Sequence, residues 1–160
     1  MIAVIGIGQT LRGDDGAGIQ AVQRWQAAYP GTSAHPHLRI ELEELPGLSL
    51  LDRISGVRAA ILVDAVRSGA AAGQVYILEL SDLDAFRPES DSAHGWGVAE
   101  TLYLGQLLNP DKLPDKIILI GIEAGDVHLG EGLSPEVAGA LDRAAEMLEA
   151  CVTGLIGDAN

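Results

Sequence analysis

Cationic side chains are scarce in this chain: 10 Lys and Arg stand against 23 Asp and Glu in 160 residues, a net charge of −13. That balance sets the surface potential against nucleic acid and anionic lipid, so neither nucleic acid nor a membrane is expected as a partner. A basic or metal-bearing protein suits it better. Cysteine occurs once, at Cys151, which excludes an intrachain disulfide and any thiolate-cluster metal site. Cys151 falls in an apolar C-terminal segment of helical character, where a thiol is buried and inert. No apolar run reaches the roughly 18 residues of a spanning helix, and the chain enters its first strand without a basic leader. A cytoplasmic protein is expected. With 48% hydrophobic residues and a mean hydropathy of +0.21, the chain can bury one substantial core, and residues 1–160 read as a single domain.

What is present alternates between strand and helix. Ile2 to Ile7 is a continuous apolar strand of the kind covered on both faces, and Gly18 to Tyr29 follows as an amphipathic helix closed by Pro30-Gly31. Leu38 to Glu43 alternates as a second strand, Gly47 to Ile54 reads as a short helix, and Ala59 to Val63 is a buried strand running into Asp64. Val75 to Leu80 is reached without an intervening helix, so it is expected to run antiparallel to the third strand. An irregular acidic stretch from Ser81 to Ala93 leads to His94-Gly-Trp-Gly97, a helix over Val98 to Leu108 and a strand over Ile117 to Ile122. Ser134-Pro135-Glu136 opens the last helix, which is expected to run to about Val152. The expected architecture is α/β: a single doubly wound layer sandwich. Its sheet has about five strands, mostly parallel with one antiparallel, and helices lie on both faces.

The first turn carries the most information. Gly6 and Gly8 satisfy half of a dinucleotide-binding fingerprint, but position 11 is Leu, and Asp14 and Asp15 at the helix start would repel a pyrophosphate. The turn wants a cation. Asp14 alone has an ordinary reading as the cap of the following helix; one cap needs one acid, so Asp15 is left over.

Parallel strands present their carboxyl ends on one edge. Asp15 after the first strand, Asp64 ending the third and Glu123 ending the last should therefore share a rim. His94 joins them, because the helix that feeds a parallel strand starts at the same edge. Taken singly, Asp64 is a turn cap, His94 a helix-start residue and Glu123 a solvated acid. Together they form a nitrogen-and-oxygen site suited to a divalent metal such as nickel, zinc, manganese or iron. His35 and His37 read as loop residues, and His128 is a minor candidate near the rim.

Four segments, in this order, resemble the hydrogenase maturation proteases. They are the opening Gly6-x-Gly8-x-x-Leu11-x-x-Asp14-Asp15-Gly16-x-Gly18, Val63-Asp64-Ala65, Ser92-Ala-His94 before a helix, and Gly121-Ile-Glu123. The resemblance implies an endopeptidase that trims a C-terminal extension from the large-subunit precursor of a nickel-iron hydrogenase. It implies a metal site on Asp15, Asp64 and His94, the residues the topology selects independently. Nickel is then the implied metal, supplied by the precursor and recognised by these three residues, which also carry the chemistry, and the protein acts as a monomer. Two positions depart from the family pattern. Gln9 stands where Asn is usual, and Glu43-Glu44-Leu45-Pro46-Gly47 replaces an acidic residue leading into a Gly-Thr-x-Gly-like turn, which bears on which hydrogenase is served. No Ser or Cys has a discernible base partner, which directs the mechanism to water. Two other readings fit the same residues, a carboxylate-and-histidine metallochaperone and a small-ligand-binding α/β module.

Overall fold

The computed structural model describes residues 1–79, 97–125, 127, 130 and 132–158. It contains β1 (Ile2–Ile7), α1 (Ala17–Ala28), α2 (Pro30–Ser33), β2 (Leu38–Glu43), α3 (Ser49–Ile54), β3 (Ala59–Val66), β4 (Val75–Glu79), α4 (Val98–Leu108), β5 (Lys116–Glu123) and α5 (Pro135–Gly157). The irregular stretch expected over Ser81 to Ala93 lies outside the described residues, as does Leu80.

The five strands form one sheet in the order β2-β1-β3-β5-β4. β1 pairs in parallel with β2 and β3, and β3 in parallel with β5, while β4 runs antiparallel to β5. The single antiparallel strand is therefore present, but its neighbour is β5 and not β3. Burial explains the order. Seven of the eight β5 residues are buried, whereas β4 is short and half exposed, so the apolar strand takes the interior place and β4 takes the edge.

Alternation along the strands divides the core into two layers. Ile2, Val4, Ile61, Val63, Ile118 and Ile120 pack beneath α1 and α5, joined by Trp25, which is fully buried. The opposite faces, with Ala3, Ile5, Leu62 and Leu119, pack against Leu50 and Ile54 of α3 and Leu102 of α4. Buried Trp25 keeps its ring nitrogen satisfied by donating to Glu149 on α5 at 2.8 Å, and Glu149 also accepts from Thr32 at 2.7 Å. That one carboxylate ties α1 and α2 to α5.

Two glycines determine how closely the first turn approaches the sheet. Gly8 adopts φ +155°, and a side chain there would strike the Asp15 carbonyl. A Cβ at Gly18 would collide with the carbonyl oxygens of Ile7 and Val63, so α1 can lie against the ends of β1 and β3 only because position 18 is bare. Gly18→Ala is accordingly expected to destabilise the fold by about 2 kcal/mol or more, since the obstructing atoms are backbone and cannot rotate away. Urea denaturation checks it; a loss below about 0.5 kcal/mol would contradict the close approach.

Candidate active site

From β1 the chain goes first to β2 on one side and then to β3 on the other, so the connections part between β1 and β3. Crevices at the carboxyl ends of strands form where strand order reverses in this way. Asp15 and Asp64 both lie there. Asp15 sits in the 3₁₀ turn Gly13–Gly16 that follows β1, half-buried, with one carboxylate oxygen accepting the Gln9 N–H at 3.0 Å. Asp64 lies within β3, opposite Gly121 of β5, because the strand continues to Val66 and does not stop at Val63. It follows Leu62 by two residues and so belongs to the α3 and α4 face.

The two carboxyls feel each other. Burial raises the Asp15 carboxyl above its ordinary value, opposed by the Gln9 N–H and the Arg12 charge. Burial, joined by the negative charge on Asp15, pushes Asp64 up to about 8, with only the Ala65 N–H acting the other way. At neutral pH Asp64 therefore keeps its proton. A divalent ion would replace the Asp64 proton and remove the conflict, so the pair is chemically suited to a metal.

His94 lies outside the described residues, four positions before α4 begins. His128 is likewise outside them. Among the described residues, no group of three His, Cys, Asp or Glu side chains is assembled to hold a metal ion.

Asp14 and Glu123 have other work. Asp14 is fully buried and does not cap α1; it reaches across to the loop after β5. It accepts the Gly125 N–H at 2.9 Å, the Ser134 N–H at 2.6 Å and the Ser134 hydroxyl at 2.8 Å. Ser134 thus spends its hydroxyl on Asp14 rather than on capping α5. Glu123 is at the carboxyl edge as expected, but it is buried and not solvated. Its oxygens accept the Ser68 N–H at 2.8 Å, the Ser68 hydroxyl at 2.9 Å, the Gly69 N–H at 3.0 Å and the Tyr76 hydroxyl. The Tyr76 phenol is pushed up to about 12 by burial and by that donation. Glu123 therefore closes the β3–β4 turn and contributes no open ligand position. Cys151 is half-buried on α5 against the opposite core layer, and burial pushes its thiol up, which keeps it protonated.

Sequence reasoning passed over the part played by Glu44. Its carboxylate accepts the Thr10 hydroxyl at 2.8 Å and the Thr10 N–H at 3.4 Å, tying the β2–α3 loop to the Asp15 turn. The next residue, Leu45, is 69% exposed and adopts φ 52°, an uncommon conformation for a branched side chain. Leu11 and Leu48 are exposed on the same two loops. The signal available in the sequence was Glu44-Leu45-Pro46-Gly47 itself, a turn with no internal apolar periodicity.

The family model described as HycI, hydrogenase maturation protease, matches residues 45–151, a span that includes Asp64 and the helix start after His94. The chain belongs to the hydrogenase maturation protease family. Among curated relatives, it is 31% identical to the hydrogenase expression/formation protein HupD of Rhodobacter capsulatus over 88% of its length. It spans 66% of that relative, just under two thirds. The fold is that of the hydrogenase maturating endopeptidase HybD from E. coli, with a TM-score of 0.80 at 23% identity, covering 96% of this chain and 92% of that one. The [NiFe] hydrogenase maturation protease HybD from Thermococcus kodakarensis aligns with a TM-score of 0.68 at 25% identity, over 94% of this chain and 98% of the other. The mixed five-stranded sheet of this family member matches that fold.

The displaced carboxyl makes a prediction in the absence of metal. Folded Asp64 holds its proton up to about pH 8, whereas the unfolded chain releases it near 3.8. The folded state binds more protons across that window, so its stability falls as pH rises through it. Asp64→Asn imitates the protonated form and removes the loss. The variant should melt within a degree or so of the parent near pH 4 and several degrees above it near pH 9. Thermal melts at both pH values in chelator decide it, and equal melting temperatures near pH 9 would show that the carboxyl is not strained.

Proposed function

We propose that this protein is an endopeptidase that removes the C-terminal extension of a nickel-iron hydrogenase large-subunit precursor once nickel has been inserted, acting in the cytoplasm as a monomer. The observation that carries this reading is the pair of mutually repelling carboxyls, Asp15 and Asp64, at the β1/β3 switch point of a hydrogenase maturation protease.

Nickel in this account belongs to the substrate. Asp15, Asp64 and His94 are proposed to meet the nickel held by the precursor and to complete its coordination with two oxygens and one imidazole nitrogen, a donor set appropriate to that ion. The contact orients the tail across the rim. Water is the nucleophile, a rim carboxylate removes its proton, and the proton passes to the leaving amine as the peptide bond breaks. Recognition through the metal makes cleavage conditional on nickel insertion, and the reaction becomes a checkpoint. Three ligands on separate segments hold a free ion weakly, which distinguishes this reading from a metallochaperone.

The expected outcome is that nickel-loaded precursor is trimmed and matched nickel-free precursor is not. Asp15→Ala and His94→Ala should each reduce tail removal at least about 100-fold with circular dichroism unchanged; Asp15 is a half-buried polar position, which carries little packing energy. Electrophoresis of the precursor before and after incubation measures both. Equal cleavage of the two precursors would remove the checkpoint, and tight stoichiometric nickel in the isolated protein with neither precursor cut would establish the metallochaperone instead.

A further inference from the structure

Water addition to a peptide carbonyl places negative charge on its oxygen. Here that charge would develop beside Asp15 and Asp64, in a chain of net charge −13. In a rim partly screened from solvent, an unbalanced oxyanion beside like charges raises the barrier, and preorganised donors aimed at it lower the barrier by a large factor.

Arg12 is placed to supply them. Its backbone is gripped from both sides: its N–H donates to the Gln9 carbonyl at 3.1 Å, and its own carbonyl accepts the Asp15 N–H at 3.1 Å. It also bridges Gly130, whose carbonyl accepts the Gly13 N–H at 2.9 Å and whose N–H donates to the Leu11 carbonyl at 2.9 Å. The loops after β1 and β5 thereby hold the Arg12 backbone between them. Its side chain is exposed and makes no hydrogen bond or ion pair among the described residues. Arg24, Arg39 and Arg53, by contrast, all pair with carboxylates. The Arg12 charge reaches Asp15 and favours its ionised form. A fixed backbone beneath an uncommitted guanidinium, three residues from a rim carboxylate, is what an oxyanion donor requires.

We infer that Arg12 is a catalytic residue whose guanidinium donates hydrogen bonds to the scissile carbonyl oxygen as it gains charge. The inference rests on the cleavage reading above. As water adds to the carbonyl carbon, the C=O π pair moves onto the oxygen and the water proton goes to a rim carboxylate. When the C–N bond breaks, the pair returns to form the new carboxyl group and the proton goes to the amine. The planar fork of the Arg12 guanidinium can place two N–H groups on one oxygen.

The experiment compares wild type, Arg12→Ala and Arg12→Lys on nickel-loaded precursor, with Arg67→Ala as a control at an exposed cation just beyond β3. Arg12→Ala should lower kcat about 100-fold with KM changed less than about threefold, the signature of a donor that acts in the transition state. Arg12→Lys should fall between the two, Arg67→Ala should match wild type, and melting temperatures should be unchanged. Added guanidinium ion should restore part of the activity of Arg12→Ala, which only direct action at the reacting oxygen explains. A kcat within twofold of wild type, a loss confined to KM, an equal loss in Arg67→Ala, or no recovery with guanidinium would each overturn the inference while leaving the protease reading in place. Failure of the wild type to cut the loaded precursor would instead remove the protease reading, and this inference with it.

Discussion

A carboxylate with no exposure to solvent, Asp14, joins the turn after the first strand to the loop after the last by three hydrogen bonds to Gly125 and Ser134. Burying an ionisable group is costly unless its acceptors are filled, so this contact tolerates little displacement of either loop. The Arg12–Gly130 bridge lies beside it and extends the same junction. Asp15 follows Asp14 directly in the chain, so the residue that faces the site inherits its position from the residue that faces the core. Of two adjacent acids, one anchors the loops and the other stays half-buried at the rim.

The same division recurs at the far side of the rim. Glu123 ends β5 and spends its oxygens on the Ser68–Gly69 turn and Tyr76, which frees Asp64, one strand inward, from any structural duty of that kind. Carboxylates satisfied by several donors support the edge, and those with few donors carry the electrostatic tension. Asp15 accepts one backbone N–H and Asp64 is favoured by one, too little to offset burial and mutual repulsion. Asp64 relieves that tension by keeping its proton up to about pH 8.

Glu44 extends this frame toward the surface by linking Thr10 to a loop that displays Leu45 in a left-handed conformation. An exposed leucine in an uncommon backbone conformation gains nothing from the core of its own chain. The Glu44–Thr10 hydrogen bond ties this loop to the turn that carries Asp15.

The sequence by itself determined the elements and the edge on which Asp15 and Asp64 lie. β1, β2 and α4 have the bounds their apolar patterning predicts, and parallel order follows from strands buried on both faces. The placement of Asp15 and Asp64 at the carboxyl edge was legible because a β-α-β chain must return its strand ends to one side, whatever the details of packing. Tertiary structure alone decided which acids are free. Asp14 could be a cap and Glu123 a solvated residue by every local rule, and their true partners lie 111 to 120 and 47 to 55 positions away in the chain. It also decided that β5 separates β3 from β4, since competition for the interior of a sheet is settled by the burial of whole strands and not by the length of the connection between two of them. Local patterning encodes period and direction. Hydrogen-bond satisfaction of a buried charge is a property of the assembled chain, and no window of sequence contains it.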